Sequence, residues 1–484
     1  MKGTLRSPLV ALAVVGAAAL GSLALVTAAQ VLEQASGPAR IPSDSEIRKV
    51  LAERIDTYRQ GVGIVVGLIE PQGRRIVSYG TLDQANPRPV TGDTVFEIGS
   101  ITKVFTSLVF ADMVRRGEVA LNDPVIKYLP RGVKVPERNG RQITLVDLAT
   151  HTSALPREAL NFEPTWEEWE FGYSEDALYE FLGSYQLTED IGSEHEYSNL
   201  GVSLLAIALA RRAEMDYEAL VRARIGEPLG LDSTGWSLTS GMKARLAMGH
   251  VYTLHPAPNT NLRLFAGSGG LRSTANDLLL FLGAQLGYQQ TPLAPAMAAM
   301  LDVKFNLMPP VVRIFKRGQF QHLGWLETNG LIWHSGGTPG YRSFIGFDPK
   351  RRSGIVVLSN AAVDTGVDDI GMHLLNQKMP LLGSKELVPA KAHREIPVKA
   401  ELLDRYVGRY GFSSSDWITV TRVEDQLWVG GSGYPRVRFY PESETSFFSK
   451  TFNEQIVFAV DREGRATEAV SSGSGETKRY KRVQ

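Results

Sequence analysis

Apolar residues recur at three- and four-residue intervals between Ser100 and Arg116, at Ile101, Val104, Phe105 and Leu108, and Gly117 follows where a helix-ending glycine belongs. This spacing predicts a helix with Ser100 at its start. Helical spacing returns in LVDLATHT from Leu145, DALYEFLGSY from Asp176, NLGVSLLAIALARRA from Asn199 and TANDLLLFLGAQLG from Thr274, the last capped by Ser273 or Thr274. Upstream, a charged helical pattern over residues 43–61 leads into GVGIVVGLIE, and RRIVSYG follows across the turn PQGR, which predicts a helix and then a β-hairpin. Strand-like runs come back late, in LIWHSGG, RSFIGFDP and SGIVVLSN. An early hairpin, intervening helices and late strands predict an α+β domain over residues 43–377, its sheet assembled from both ends and a helical region inserted between them.

From Lys378 the period is lost and three prolines appear before Ala400, so residues 378–399 read as a linker. Alternation then takes over in WITVTRV, QLWVGG, RFYP and QIVFAV, short runs bounded by turn residues such as DREG. They predict a small antiparallel barrel or sandwich over residues 400–484.

A chain of 484 residues exceeds what one hydrophobic core usually organises, in keeping with a large domain and a smaller one. Lysine and arginine total 52, as do aspartate and glutamate, so no global field draws nucleic acid. The absence of cysteine removes disulfides, thiol nucleophiles and thiolate metal sites. Lys2 and Arg6 precede an apolar run from Pro8 to Ala29 that ends in small residues, the pattern of a secretory signal peptide or of an N-terminal membrane anchor. Either form puts the rest of the chain outside the cytoplasm, in the periplasm or secreted.

Ser100 and Lys103 lie one helical turn apart in an otherwise apolar segment. A serine hydroxyl is a poor nucleophile until its proton is removed, and a lysine removes it only when burial or a neighbouring cation destabilises the ammonium. The helix start adds free backbone N–H groups that stabilise an oxyanion. The same spacing occurs at Ser240 and Lys243, where Gly241 intervenes and no apolar helix follows. Two more segments join the first pair: HEYSNLG with Tyr197 and Asn199, and LIWHSGGTPG with His334, Gly336 and Gly337.

Ser-x-x-Lys, Tyr-x-Asn and His-x-Gly, in that order, resemble the signature of the serine penicillin-recognising enzymes, specifically the class C β-lactamase group with its DD-carboxypeptidases, D-aminopeptidases and esterases. LNDPVIKYLP, LATHTSAL and GSGGLRSTANDLLLF look like framework segments of that group, and the resemblance covers about residues 45–375. It implies a β-lactamase/transpeptidase-like fold, an antiparallel sheet flanked by helices plus an all-helical region. It also implies that Ser100 is acylated, that Lys103 and Tyr197 share the proton transfers, and that Asn199 holds the substrate amide. The backbone N–H groups of Ser100 and Gly337 would form the oxyanion hole, with His334 and Gly336 at the substrate. His334 departs from the lysine of the β-lactamases, and a histidine, only partly charged at neutral pH, would hold a substrate carboxylate weakly and with pH dependence. The substrates implied are small peptides, amides or esters, peptidoglycan-derived ones included, with D-residue peptides or amides first. No cofactor is implied. YVGRYGF, from Tyr406, resembles the opening of a lipocalin-like domain appended to this group.

An α/β-hydrolase is excluded by the lack of any Gly-x-Ser-x-Gly, and a zinc hydrolase is disfavoured because HEYSN lacks a second histidine. The rival from another class is a silent binding protein for cell-wall fragments, which has no use for a buried lysine beside a serine. Between Pro156 and Glu196 twelve acidic residues face the single Arg157, with Trp166, Trp169, Phe171 and Tyr173 interleaved, a candidate cleft rim for amine-bearing substrates or else a solvated face. The apolar and basic mixture of residues 305–320 is a weaker candidate for membrane contact.

Overall fold

Ser43 opens the first helix of the described residues, α1 (Asp44–Ala52), with a capping box: its hydroxyl accepts from the Glu46 amide while the Glu46 carboxylate accepts from the Ser43 amide. The computed structural model describes residues 41–85, 87–162, 173–307, 319–363, 365–385, 387, 391–412, 417–431, 434–473 and 476–483. The predicted leader, Trp166, Trp169 and Phe171 of the acidic stretch, and residues 308–318 of the apolar, basic stretch lie outside these.

The hairpin forms as predicted, β1 (Gly63–Glu70) against β2 (Gly73–Gly80), with Gly63 opposite Gly80 and Glu70 opposite Gly73. Three short strands, β3 (Phe305–Asn306), β4 (Gln319–Gln321) and β5 (Leu326–Thr328), precede the three predicted late ones, β6 (Leu331–Thr338), β7 (Tyr341–Asp348) and β8 (Ser353–Ser359). The antiparallel sheet runs β2-β1-β8-β7-β6-β5-β4-β3, so strands from the two ends of the domain, β1 and β8, are direct neighbours, Ile64 opposite Ser359. β1 and β8 read as unbroken apolar runs because both faces of the sheet are covered. Val65, Ile345, Val356 and Leu358 belong to the core under the helical region, and Ile64, Val66, Phe344 and Val357 to the core on the opposite face.

The helical region holds α2 (Thr102–Arg115), α3 (Leu145–Ala149), α4 (Glu175–Ser184), α5 (Asn199–Ala213) and α6 (Ala275–Gln285), and α7 (Asp368–Leu375) covers the other face. α2 is buried on all sides from Thr102 to Met113, the condition of a helix at the centre of a large core. Thr274, not Ser273, caps α6, accepting from the Asp277 amide at 3.1 Å. α3 is shorter than its pattern, because His151 and Ala154 both take a left-handed backbone with φ of 59°.

Eight antiparallel strands close into a barrel: β9 (Gly408–Gly411), β10 (Trp417–Val423), β11 (Gln426–Gly431), β12 (Tyr434–Pro441), β13 (Ser446–Ser449), β14 (Glu454–Val460), β15 (Ala466–Gly473) and β16 (Glu476–Arg482). Of the two all-β architectures the alternation allowed, the closed one forms, with β9 returning to β16. Tyr406, Tyr410, Phe439, Phe447 and Phe458 fill its core. Residues of the predicted linker run along it: the Ile396 amide donates to the Pro441 carbonyl, and His393 meets Glu442 at 2.6 Å. The barrel touches the helical region where the Tyr252 amide and Thr253 hydroxyl donate to the carbonyls of Thr451 and Lys450. Among the described residues no helix is long and apolar enough to cross a membrane.

Candidate active site

Ser100 sits in a 3-10 turn, Gly99–Ile101, that runs directly into α2. The turn is possible because Gly99 has φ of 49°, and because it lacks a side chain: a Cβ there would lie 2.6 Å from the Gly337 amide nitrogen. A Cβ on Gly336 would overlap the Ile98 carbonyl and the Ser343 hydroxyl. That hydroxyl donates to the same carbonyl at 2.8 Å, tying β7 to the turn. Glycines at 99 and 336 therefore let β6 approach the start of α2 backbone to backbone, which sets the Gly337 amide against Gly99, the residue before Ser100.

Lys103 is 1% exposed and spends its three donors on Ser100 Oγ at 3.1 Å, Asn199 Oδ1 at 2.7 Å and the Ser268 carbonyl at 2.6 Å. Burial pushes the ammonium pKa below its ordinary value, partly offset by the Tyr197 hydroxyl. The geometry also dictates where the neutral amine points. Asn199 Oδ1 and the Ser268 carbonyl can only accept, so they keep the two remaining N–H groups, and the lone pair is left for the hydroxyls beside it, Ser100 Oγ at 3.1 Å and Tyr197, both of which can donate a proton.

Ser198 caps α5 through its hydroxyl, and the capped turn presents Tyr197 and Asn199 on either side of it. The Tyr197 ring is half-buried, its centroid 4.8 Å from Lys103 Nζ. Asn199 is held at both ends, since its Nδ2 donates to Glu158 Oε1 at 2.6 Å. Against Tyr197 lies His151, ring centroids 4.5 Å apart. Its Nδ1 accepts from the Ser198 amide at 3.1 Å, which leaves the ring proton on Nε2, and burial holds its pKa well below the ordinary value.

His334 points from β6 toward Lys103, 3% exposed, with Nδ1 donating to the Ser335 carbonyl at 2.6 Å. Burial, then the charge of Lys103, pushes its pKa down to about 4. This corrects the expectation of a partly charged histidine: at neutral pH His334 is an uncharged imidazole and offers no charge to a carboxylate. Arg342 stands directly opposite Gly337 in the sheet register, its guanidinium directed by the carbonyls of Thr338, Tyr341 and Ala362.

Thus Ser100, Lys103, Tyr197, Asn199, His334, Gly336 and Gly337 are all brought to one place. The competing pair, Ser240 and Lys243, is exposed on the surface in the short helix Ser240–Arg245. The spacing argument missed His151, read only as framework, and Glu158, counted only among the acids. Their partners are in a different segment, and no local pattern announces them.

The family model described as Beta-lactamase matches residues 49–376, and one described as a domain of unknown function (DUF3471) matches residues 392–476. The chain is 30% identical over 358 residues to the D-alanyl-D-alanine-carboxypeptidase/endopeptidase AmpH of Escherichia coli K12, covering 71% of this chain and 91% of that protein. Among solved structures, a Beta-lactamase/D-alanine Carboxypeptidase from Yersinia pestis superposes with a TM-score of 0.61 at 26% identity, over 69% of this chain and 97% of that one. The octameric penicillin-binding protein homologue from Pyrococcus abyssi shares the fold, with a TM-score of 0.61 at 20% identity, over 91% of this chain and all of its own.

Proposed function

The chain belongs to the beta-lactamase family of serine hydrolases, and from that premise we propose that it cleaves peptides or amides containing D-residues through an acyl-enzyme on Ser100. The observation that carries this reading is the buried Lys103 amine, 3.1 Å from Ser100 Oγ, with its other N–H groups taken by Asn199 Oδ1 and the Ser268 carbonyl, which can only accept. As Ser100 Oγ attacks the carbonyl, its proton passes to Lys103, and the amides of Ser100 and Gly337 stabilise the oxyanion. Lys103 and Tyr197 return a proton to the leaving amine, and water releases the acyl group by the reverse transfers. The name of the E. coli relative supports a D-alanyl-D-alanine bond as the first choice within this class.

Export follows in the same reading from Lys2, Arg6 and the apolar run to Ala29. So does a division into hydrolase domain (43–377), linker (378–399) and accessory barrel (400–484), supported by family matches that break at nearly the same places. The test is a panel of D-Ala-D-Ala peptide, D-amino-acid amide, nitrocefin and p-nitrophenyl ester. The reading expects the first two to show the highest kcat/KM. Efficient nitrocefin hydrolysis with neither peptide nor amide cleaved would overturn it.

A further inference from the structure

Among the described residues Glu158 is the carboxylate hydrogen-bonded to Asn199, and the acylation chemistry above leaves it without a task. Its Oε1 accepts from Asn199 Nδ2 at 2.6 Å, while Asn199 Oδ1 accepts from Lys103 at 2.7 Å, so the carboxylate is joined through one amide to the amine that activates Ser100. With both ends fixed, Asn199 keeps a single N–H for a substrate carbonyl. Glu158 is half-buried, and among the described residues its Oε2 makes no hydrogen bond. A carboxylate so placed is costly when ionised, and desolvation lifts its pKa to about 7 although Asn199, Arg157 and Lys103 all pull the other way. What would satisfy it is a group that supplies both positive charge and N–H donors.

We infer that Glu158 is a specificity-determining residue that receives, on Oε2, a substrate ammonium within one residue of the scissile carbonyl on the acyl side, while Asn199 Nδ2 donates to the neighbouring carbonyl. The favoured substrates are then D-residue peptides or amides with a free amino group, a narrowing that rests on the function proposed above. Binding to the full-length Ser100→Ala protein tests it without any turnover. In a ligand-observed NMR titration near neutral pH, D-alaninamide should bind at least about tenfold more tightly than N-acetyl-D-alaninamide, as expected for a charge-assisted contact. Adding the isosteric Glu158→Gln should abolish that preference and leave the N-acetyl ligand unchanged, and Glu158→Asp should keep part of it. No preference in Ser100→Ala, including no binding of either ligand, overturns the inference. So does an equal loss for both ligands in Glu158→Gln, which would mean that Glu158 merely braces Asn199. Failure of Ser100 to acylate in the wild-type protein would instead count against the proposed function and leave this binding result standing.

Discussion

Gly99 packs its α-carbon onto the backbone of Gly337, so closely that a Cβ would lie 2.6 Å from the Gly337 amide nitrogen. This contact joins the turn that carries Ser100 to the strand that carries Gly337, the proposed second oxyanion donor, and close contacts of this kind rank the glycines of the site. At Gly336 a Cβ would overlap the Ile98 carbonyl, which is backbone and cannot yield, whereas at Gly337 it would meet the tip of the Arg342 side chain at 3.2 Å, which can move. Gly336→Ala should therefore lower kcat/KM by about 100-fold or more, the scale of losing an oxyanion donor, with a clear fall in Tm. Gly337→Ala should keep Tm near wild type. Steady-state kinetics and thermal unfolding of both variants check the ranking.

In the proposed mechanism Lys103 is a base only when neutral, so a lysine whose pKa burial has lowered fixes the direction of the pH profile. Acylation should rise with pH and level off below the ordinary lysine range. Lys103→Arg preserves the charge but cannot lose it near neutrality, so the acylation rate should fall about 1,000-fold or more, as far as in Lys103→Ala. Stopped-flow acylation by a chromogenic ester across pH would show both effects.

His334 titrates at about 4 in the folded protein against 6.5 for the ordinary side chain. Between these values the unfolded chain binds a proton that the folded chain refuses. The stability this imidazole contributes is therefore whole above pH 6.5 and is lost as pH falls toward 4, at most roughly 3 kcal/mol in all. His334→Gln should show a smaller drop in unfolding free energy between pH 7 and pH 5 than the wild type, measured by urea denaturation.

How far the sequence carries depends on the kind of signal each element sends. α5 is legible because a cap at Ser198 precedes an unbroken helical run to Ala213, and β1, β6, β7 and β8 because they are long and apolar. β3, β4 and β5 span only two or three residues, too few to display a period. In the barrel, β15 and β16 alternate weakly because their inward positions are mostly small or polar, Ala466, Ala469 and Ser471 in β15 and Lys478 and Arg482 beside Tyr480 in β16. At the site, Ser100 and Lys103 are neighbours on one turn and were visible. The Ser268 carbonyl that completes the Lys103 cage is backbone, and the Glu158 contact with Asn199 spans 41 positions. The charge of His334 is not legible because residue type sets only the ordinary pKa, whereas burial and then the charge of Lys103 push it down in the fold.

The most direct measurement is intact-protein and peptide mass spectrometry after treatment with a fluorescent penicillin or a fluorophosphonate. One adduct on Ser100 in the wild type, none in Ser100→Ala and a severely slowed one in Lys103→Ala is the predicted result. An adduct on another residue, or wild-type labelling rates in Lys103→Ala, would contradict it.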